Sequence, residues 1–322
     1  MQSLPRILVV LGTGGTIAGS AASADDNVAY RAATLPVATL IASLPVPADI
    51  AVESEQVAQL DSKDMDFATW RALAVRVAFH LARPEVAAIV VTHGTDTLEE
   101  TAYFLQRVLA PAKPVVFTAA MRPATSRLSD GPQNLADAVT VATSPGAQGV
   151  VVVVAGSVHS ALDVRKVHPY RLAAFGSGDA GPIAHVEEGR LRAVRAWPRS
   201  EAAAFGVERL PNDPATWPWV AIVMSGAGAD PRAVRSLVDA GCAGIVVAAT
   251  GNGRVHGALE APLREAMTRG CAVLRSTRCL DGTVIDAAAS SGTDIPSAGA
   301  LTPQQARVEL IVRLLGRSGG TA

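Results

Sequence analysis

The strongest constraint on this chain is a repeated alternation. Short apolar runs, too brief for helices, are separated by longer stretches of helical period. The runs at 7–11, 88–91, 114–118 and 149–154 carry almost no polar residues. Unbroken apolar runs of this length read as buried strands, covered on both faces. Strands of that kind alternating with helices imply a largely parallel sheet with helices on both sides.

The clearest unit spans 87–118. After the strand ending at Val91, Thr97 and Glu100 stand in T-x-x-E spacing, which predicts a capping box. The helix that follows carries Leu98, Ala102, Leu105, Val108 and Leu109 on one face, and Pro111 and Pro114 stop it before the next strand. Between about Ala196 and Pro218 the period fails, and Trp197-Pro198, Pro211, Asp213-Pro214 and Trp217-Pro218 punctuate a segment suited to a linker. The expected organisation is therefore α/β throughout. A larger N-terminal domain with a mostly parallel sheet covers 1–196, a linker covers 197–218, and a smaller C-terminal α/β domain covers 219–322. In the smaller domain we expect strands at 219–224, 244–249 and 272–276, helices at 231–240 and 259–269, and a last helix from about 303. Thr302 as N-cap, Pro303 at the first helical position and Gln305 two residues later mark its start.

Composition narrows the partners. The net charge is −1 and no block of five like charges occurs, so nothing argues for a nucleic-acid or membrane surface. The expected partner is a small molecule. Cys242, Cys271 and Cys279 form an odd set without a C-x-x-C pair, which points to a reducing compartment. The apolar run before Gly12 is too short for a signal sequence, and no window reaches the length of a membrane span, so a cytoplasmic protein is expected.

Two strands lead into loops rich in threonine and glycine: Thr13-Gly14-Gly15-Thr16, and Thr92-His93-Gly94-Thr95-Asp96-Thr97. The carboxyl ends of parallel strands are where open α/β sheets build their sites. The first loop is not a dinucleotide fingerprint, because the third glycine of G-x-G-x-x-G would fall on Ile17. In the second loop the helix cap accounts for Thr97, while Thr95 and Asp96 have no such folding role. A threonine hydroxyl becomes a nucleophile when a base takes its proton, and lysine is one candidate. The chain has only three lysines. Lys113 lies between prolines in a connection, which leaves Lys63 and Lys166. The six histidines show no metal-ligand spacing, and no G-x-S-x-G elbow occurs. Neither metal nor cofactor is expected. Asn252, in Gly251-Asn252-Gly253, reads equally as a turn residue or a ligand contact.

Taken together, Thr13 to Gly19, Asp61 to Met65, 91–105, Ala120 to Pro123, Asp130 to Pro132, Gly251 to Gly253 and 301–310 resemble the bacterial L-asparaginases. These are tetrameric, threonine-dependent amidohydrolases that include glutaminase-asparaginases. The resemblance implies two α/β domains and a homotetramer that turns L-asparagine and water into L-aspartate and ammonia. It makes Thr16 the nucleophile and Tyr30 part of a mobile lid. Thr95, Lys166 and Asp96 form a second catalytic trio, in which Lys166 takes the proton of Thr95. The implied substrate contacts are Gly15, Ser62, Lys63, Thr95, Asp96, the Ala120 carbonyl and Asn252, with the glycine-rich turns as oxyanion hole. A cation at Lys63 would repel the substrate's ammonium, so it must turn elsewhere or alter substrate preference. The stretch 277–287, where the family supplies an acidic residue to a neighbouring subunit, offers Asp281 or Asp286. Two other functions stay open. One is a dual glutaminase-asparaginase, the other a non-catalytic amino-acid-binding protein on the same fold. The amidase subunit of a tRNA-dependent amidotransferase fits less well, because such subunits carry a further domain before the first threonine loop.

Overall fold

The computed structural model describes residues 6–42, 44–199, 204–286 and 295–318, which fall into two compact units divided between Val207 and Glu208. The first unit is built on an eight-stranded sheet. Its strands are β1 (Arg6–Gly14), β2 (Ile50–Leu60), β3 (Val86–Thr92), β4 (Pro114–Thr118), β5 (Gly149–Val154), β6 (Ser157–Ser160), β7 (Ala184–Glu187) and β8 (Arg190–Ala193). The spatial order is β8-β7-β6-β5-β4-β3-β1-β2. The strands β2 to β5 along this order, with β1 among them, pair in parallel, and β5 to β8 are antiparallel.

The unbroken apolar runs are explained by cover on both faces. Leu8, Val10, Ala88, Val90, Val116, Val151 and Val153 pack with Leu135, Ala138 and Val139 of helix α3 (Gly131–Thr143). The alternate residues Val9, Leu11, Ile89, Val91, Val115 and Val152 are equally buried, facing the opposite side as strand geometry requires. Helices α1 (Phe67–Leu81) and α2 (Leu98–Leu109) pack on the sheet as well. They meet through Trp70, which stacks on Phe104 at 4.8 Å and donates from Nε1 to Thr101 Oγ1 at 2.9 Å. Lys113, the lysine set aside above, donates to the carbonyls of Leu81 and Arg83 at the end of α1.

The topology decides where a site can form. The chain leaves β1 for β2 on one side, then crosses back to β3 on the other and continues to β4. The connections from β1 and β3 therefore lead to opposite sides, which places a site at the carboxyl ends of these two neighbours. Both threonine loops emerge there.

The second unit carries a three-stranded parallel sheet of β9 (Val220–Met224), β10 (Gly244–Ala249) and β11 (Ala272–Thr277). Its helices are α4 (Pro231–Asp239), α5 (Gly257–Thr268) and α6 (Pro303–Ser318). The start of α6 is a reciprocal capping box: Gln305 N–H donates to Thr302 Oγ1, and Thr302 N–H to Gln305 Oε1. The capping box expected at Thr97 does not form. The Thr97 hydroxyl makes no cap bond and donates instead to the Ser62 carbonyl at 2.8 Å, which also accepts the Met65 N–H. The aperiodic stretch 197–218 is packed on both sides of the unit boundary, although residues 200–203 lie outside the described residues. Trp197 joins the first core, and Phe205 and Gly206 donate to Arg107 and Val108 at the end of α2. Trp217 is buried in the second unit.

Among the described residues all three cysteines are free, and no helix is long and apolar enough to cross a membrane.

Candidate active site

The β1 loop is shaped by glycine. Gly14 and Gly15 hold φ of 103° and 81°, a region that side chains avoid. Gly15 N–H donates to the Leu60 carbonyl, and Thr13 Oγ1 donates to Thr92 O, tying the end of β1 to the end of β3. Beyond Gly15 the chain makes a single 3₁₀ turn, Thr16–Ala18, whose Ile17 and Ala18 pack on Ala120. The apolar side chains of the turn fix its orientation and leave the Thr16 hydroxyl to other partners. That partner is Tyr30, with 2.6 Å between the two hydroxyl oxygens.

Tyr30 sits in a two-residue strand paired with Ser20–Ala21. The Asp26 carboxylate shapes the intervening turn by accepting from the N–H groups of Val28 and Ala29. The hairpin is tied to the loop after β4. Ala21 N–H donates to Thr125 Oγ1, Ala124 N–H to Gly19 O, and Ser126 Oγ to Asn27 Oδ1 at 2.6 Å. The Ala120-to-Pro123 motif is in turn held by Asp130, whose carboxylate accepts the N–H groups of Met121 and Arg122.

The β3 loop lies directly on the β1 loop. A Cβ placed on Gly15 would stand 2.3 Å from Gly94 Cα, and one on Gly94 would stand 2.4 Å from Ser62 Oγ. Backbone therefore touches backbone, and Thr16 and Thr95 each follow one of the two touching glycines. Lys166 Nζ donates to Thr95 Oγ1 at 2.9 Å and to Asp96 Oδ1 at 2.5 Å. Thr95 is buried, the Lys166 side chain is 19% exposed, and that of Asp96 is 52% exposed. The trio thus presents one carboxylate to solvent beside an otherwise enclosed lysine. Ser62 joins the same cluster. Its Oγ accepts from Asp96 N–H at 3.2 Å, leaving its own proton available to a ligand. His93 is fully buried and held at about 4 by burial, so it is a neutral structural residue. Its Nδ1 pairs with the Gly94 carbonyl, which can only accept, so the proton resides on Nδ1.

Lys63 and Asn252 are engaged by neighbours of their own. The Lys63 ammonium turns to Asp64 and to Asp61 (3.7 Å), and these carboxylates raise its pKa. Its charge is thereby matched by neighbouring carboxylates. Asn252 belongs to the second unit, where its amide exchanges two hydrogen bonds with the backbone of Ile285. Asp286 pairs with the buried Arg275, Asp281 is exposed, and Ala287 at the end of that stretch lies outside the described residues.

One residue that sequence reasoning missed is Glu99. Its buried carboxylate accepts the backbone N–H of Lys166, 67 positions along the chain. Burial, more than any neighbour, pushes it up to about 7. An acidic residue in the first turn of a helix normally reads as a partner of the helix dipole, so nothing local marked it.

Comparison with known proteins meets this geometry from another direction. Residues 7–199 match the family described as "Asparaginase, N-terminal", and 219–318 match the "Glutaminase/Asparaginase C-terminal domain". The chain belongs to the asparaginase family. It is 38% identical to L-asparaginase 2 of Escherichia coli over 97% of this chain and 89% of that protein. It is 37% identical to the glutaminase-asparaginase of Pseudomonas fluorescens, over 95% of this chain and 86% of the relative. Among solved structures, the probable cytoplasmic L-asparaginase of Campylobacter jejuni superposes with a TM-score of 0.89 at 35% identity, covering 96% of this chain and 95% of that one. As an asparaginase-family chain it has the family's two-part α/β architecture and is an amidohydrolase.

Proposed function

We propose that this chain hydrolyses the side-chain amide of L-asparagine, giving L-aspartate and ammonia through a threonyl acyl-enzyme, with no cofactor. One observation carries the reading: two threonine hydroxyls on touching loops, each already engaged by a proton-transfer group. Thr16 Oγ1 meets the Tyr30 hydroxyl, and Thr95 Oγ1 meets Lys166 Nζ. A pure binding protein has no use for a proton acceptor on a buried hydroxyl, which argues against the non-catalytic alternative.

In the first step Thr16 Oγ1 bonds to the amide carbon while its proton passes to the tyrosine oxygen, which hands its own hydroxyl proton on toward the amide nitrogen. The carbonyl electron pair moves onto oxygen, where backbone N–H groups of the glycine turn receive it. The C–N bond then breaks as the nitrogen takes a proton, and ammonia leaves. Water gives a proton to Thr95 as that hydroxyl passes its own to the unprotonated Lys166 amine; the hydroxide attacks the ester, the C–O bond to Thr16 breaks, and the Lys166 proton returns through Thr95 to Thr16 Oγ1. Asp96 binds the substrate's α-ammonium, Ser62 its α-carboxylate, and the Ala120 carbonyl the amide nitrogen.

Glutamine is a second substrate on this reading, since relatives named for either activity match at 38% and 37% identity. One methylene changes binding by only about 1–3 kcal/mol. We further propose a homotetramer. Exposed Trp219, Ile222 and Met224 on and beside the edge strand β9 form an apolar strip suited to a second copy. A cytoplasmic location accords with three unpaired cysteines and with the name of the C. jejuni neighbour, although a Haemophilus influenzae relative at 38% identity is named as periplasmic.

Ammonia release from L-asparagine and L-glutamine by wild type, Thr16→Val and Thr95→Val tests the reading. Each variant is expected to lose at least about 10³-fold in kcat. Undiminished turnover in both would sink the site assignment.

A further inference from the structure

The placement of Lys166 is unexplained by its own strand. It lies in a two-residue segment, Arg165–Lys166, whose ladder partner among the described residues is Phe175–Gly176, outside the main sheet. A pairing that short does not hold a side chain to catalytic tolerance by itself. Yet the ammonium must sit within hydrogen-bond reach of two groups on another loop. The Lys166 N–H turns to the Glu99 carboxylate. Glu99 is 8% exposed, on the first turn of α2, a helix whose Leu98, Ala102, Phe104 and Leu105 are fully buried. The helix therefore adds a rigid anchor to a hairpin otherwise held by its two ladder pairs and by the Val167 and His168 N–H bonds to the Ala174 carbonyl.

We propose that Glu99 is a positioning residue for the amidohydrolase reaction, its carboxylate anchoring the Lys166 backbone so that the ammonium reaches Thr95 and Asp96. The inference rests on the function proposed above, and it adds a group that touches neither substrate nor the reacting atoms.

A pH dependence follows. The charged groups facing Glu99 are Glu100, which disfavours its ionisation, and Arg165 and Lys166, which favour it. The Lys166 N–H favours it too, but burial outweighs them and leaves the carboxyl titrating at about 7. The carboxylate accepts an N–H about twice as strongly as a neutral carboxyl does. Below pH 7 the anchor therefore weakens, and turnover should decline while substrate binding, made by other groups, holds.

The test compares full-length wild type, Glu99→Gln and Glu99→Leu by kcat and KM for L-asparagine from pH 5 to 9. It is paired with the backbone amide signals of ¹⁵N-lysine-labelled protein. Only three lysines exist, so Lys63→Arg and Lys113→Arg assign the Lys166 signal. In wild type the Lys166 amide is expected to shift with a midpoint near 7, together with the acid limb of kcat. In Glu99→Gln, an isosteric acceptor that cannot titrate, both transitions should vanish, with KM within about twofold. Glu99→Leu should lose about 10²-fold in kcat at every pH, the cost of a base misplaced by about 1 Å. An acid limb retained in Glu99→Gln at its wild-type midpoint, or a wild-type Lys166 amide that ignores pH 6–8, overturns the proposal. Should Glu99→Leu fail to fold, the Gln variant and the amide titration decide alone. Wild type inert toward L-asparagine would overturn the proposed function and not the anchor, since the amide titration needs no turnover.

Discussion

Replacing Gly94 with alanine should nearly abolish turnover while leaving the protein folded. Gly94 has no strained backbone angle, so an added methyl acts only through the space it needs. That methyl would stand 2.4 Å from Ser62 Oγ, 2.7 Å from Ser62 Cβ and 3.1 Å from Gly15 Cα. Ordinary contact begins near 3.4 Å, so the Ser62 loop must retreat by about 1 Å. Rotating the Ser62 hydroxyl aside relieves only the first clash, and it forfeits the bond from Asp96 N–H. Overpacking of this kind costs about 1–3 kcal/mol. At about 2–4 °C per kcal/mol for a unit this size, the melting temperature falls by roughly 2–12 °C. The loss in rate is larger, because a displacement of about 1 Å among positioning groups costs about 10²-fold. Ammonia release from L-asparagine measures kcat/KM, and calorimetry measures the melting temperature. A folded Gly94→Ala protein with kcat/KM within about twofold of wild type would refute the argument that the two loops are in direct contact.

Three further outcomes follow from the same geometry. Tyr30→Phe removes only the hydroxyl on Thr16, so kcat should fall by about 10²-fold with little change in KM; unchanged kcat would remove tyrosine from the proton path. Lys63→Ala should leave kcat/KM within about twofold, since its ammonium is engaged by Asp61 and Asp64, and a tenfold loss would place it on the substrate. His93 and His159 are both held at about 4 by burial, whereas the unfolded chain binds those protons near 6.5. Their contribution to stability is complete above pH 6.5 and is lost as pH falls toward 4. Glu99, raised to about 7, works in the opposite sense and softens the slope. Urea unfolding should show a loss of about 1 kcal/mol per pH unit between 6.5 and 5, and stability that rises on acidification there would contradict neutral buried imidazoles.

Much of this was legible in the chain itself. Thr95 and Asp96 stood out because a helix start needs only one cap, the scarcity of lysine left Lys63 and Lys166, and the family resemblance chose Lys166. Thr97 departs from its sequence pattern: its spacing suggested a local bond, and the Ser62 carbonyl 35 positions away takes the hydroxyl instead. Glu99 escaped notice for the same reason: its partner is distant in sequence, and an acid in a first turn has an ordinary explanation. The stretch 197–218 lacks period yet is anchored by Trp197, Phe205 and Trp217, which pack singly, and single anchors leave no periodic trace.

The seam between Gly15 and Gly94 bears on how such a protein can diverge. Two residues that share one volume usually covary, a larger side chain on one side being accommodated by a smaller one on the other. Here neither side has anything to give up, so no second substitution rescues the first, and the two positions should be individually invariant without being correlated. Selection for a longer or shorter amide must then act on the Tyr30 hairpin and on other groups around the site, because the spacing of the hydroxyls is set by the thickness of two backbones.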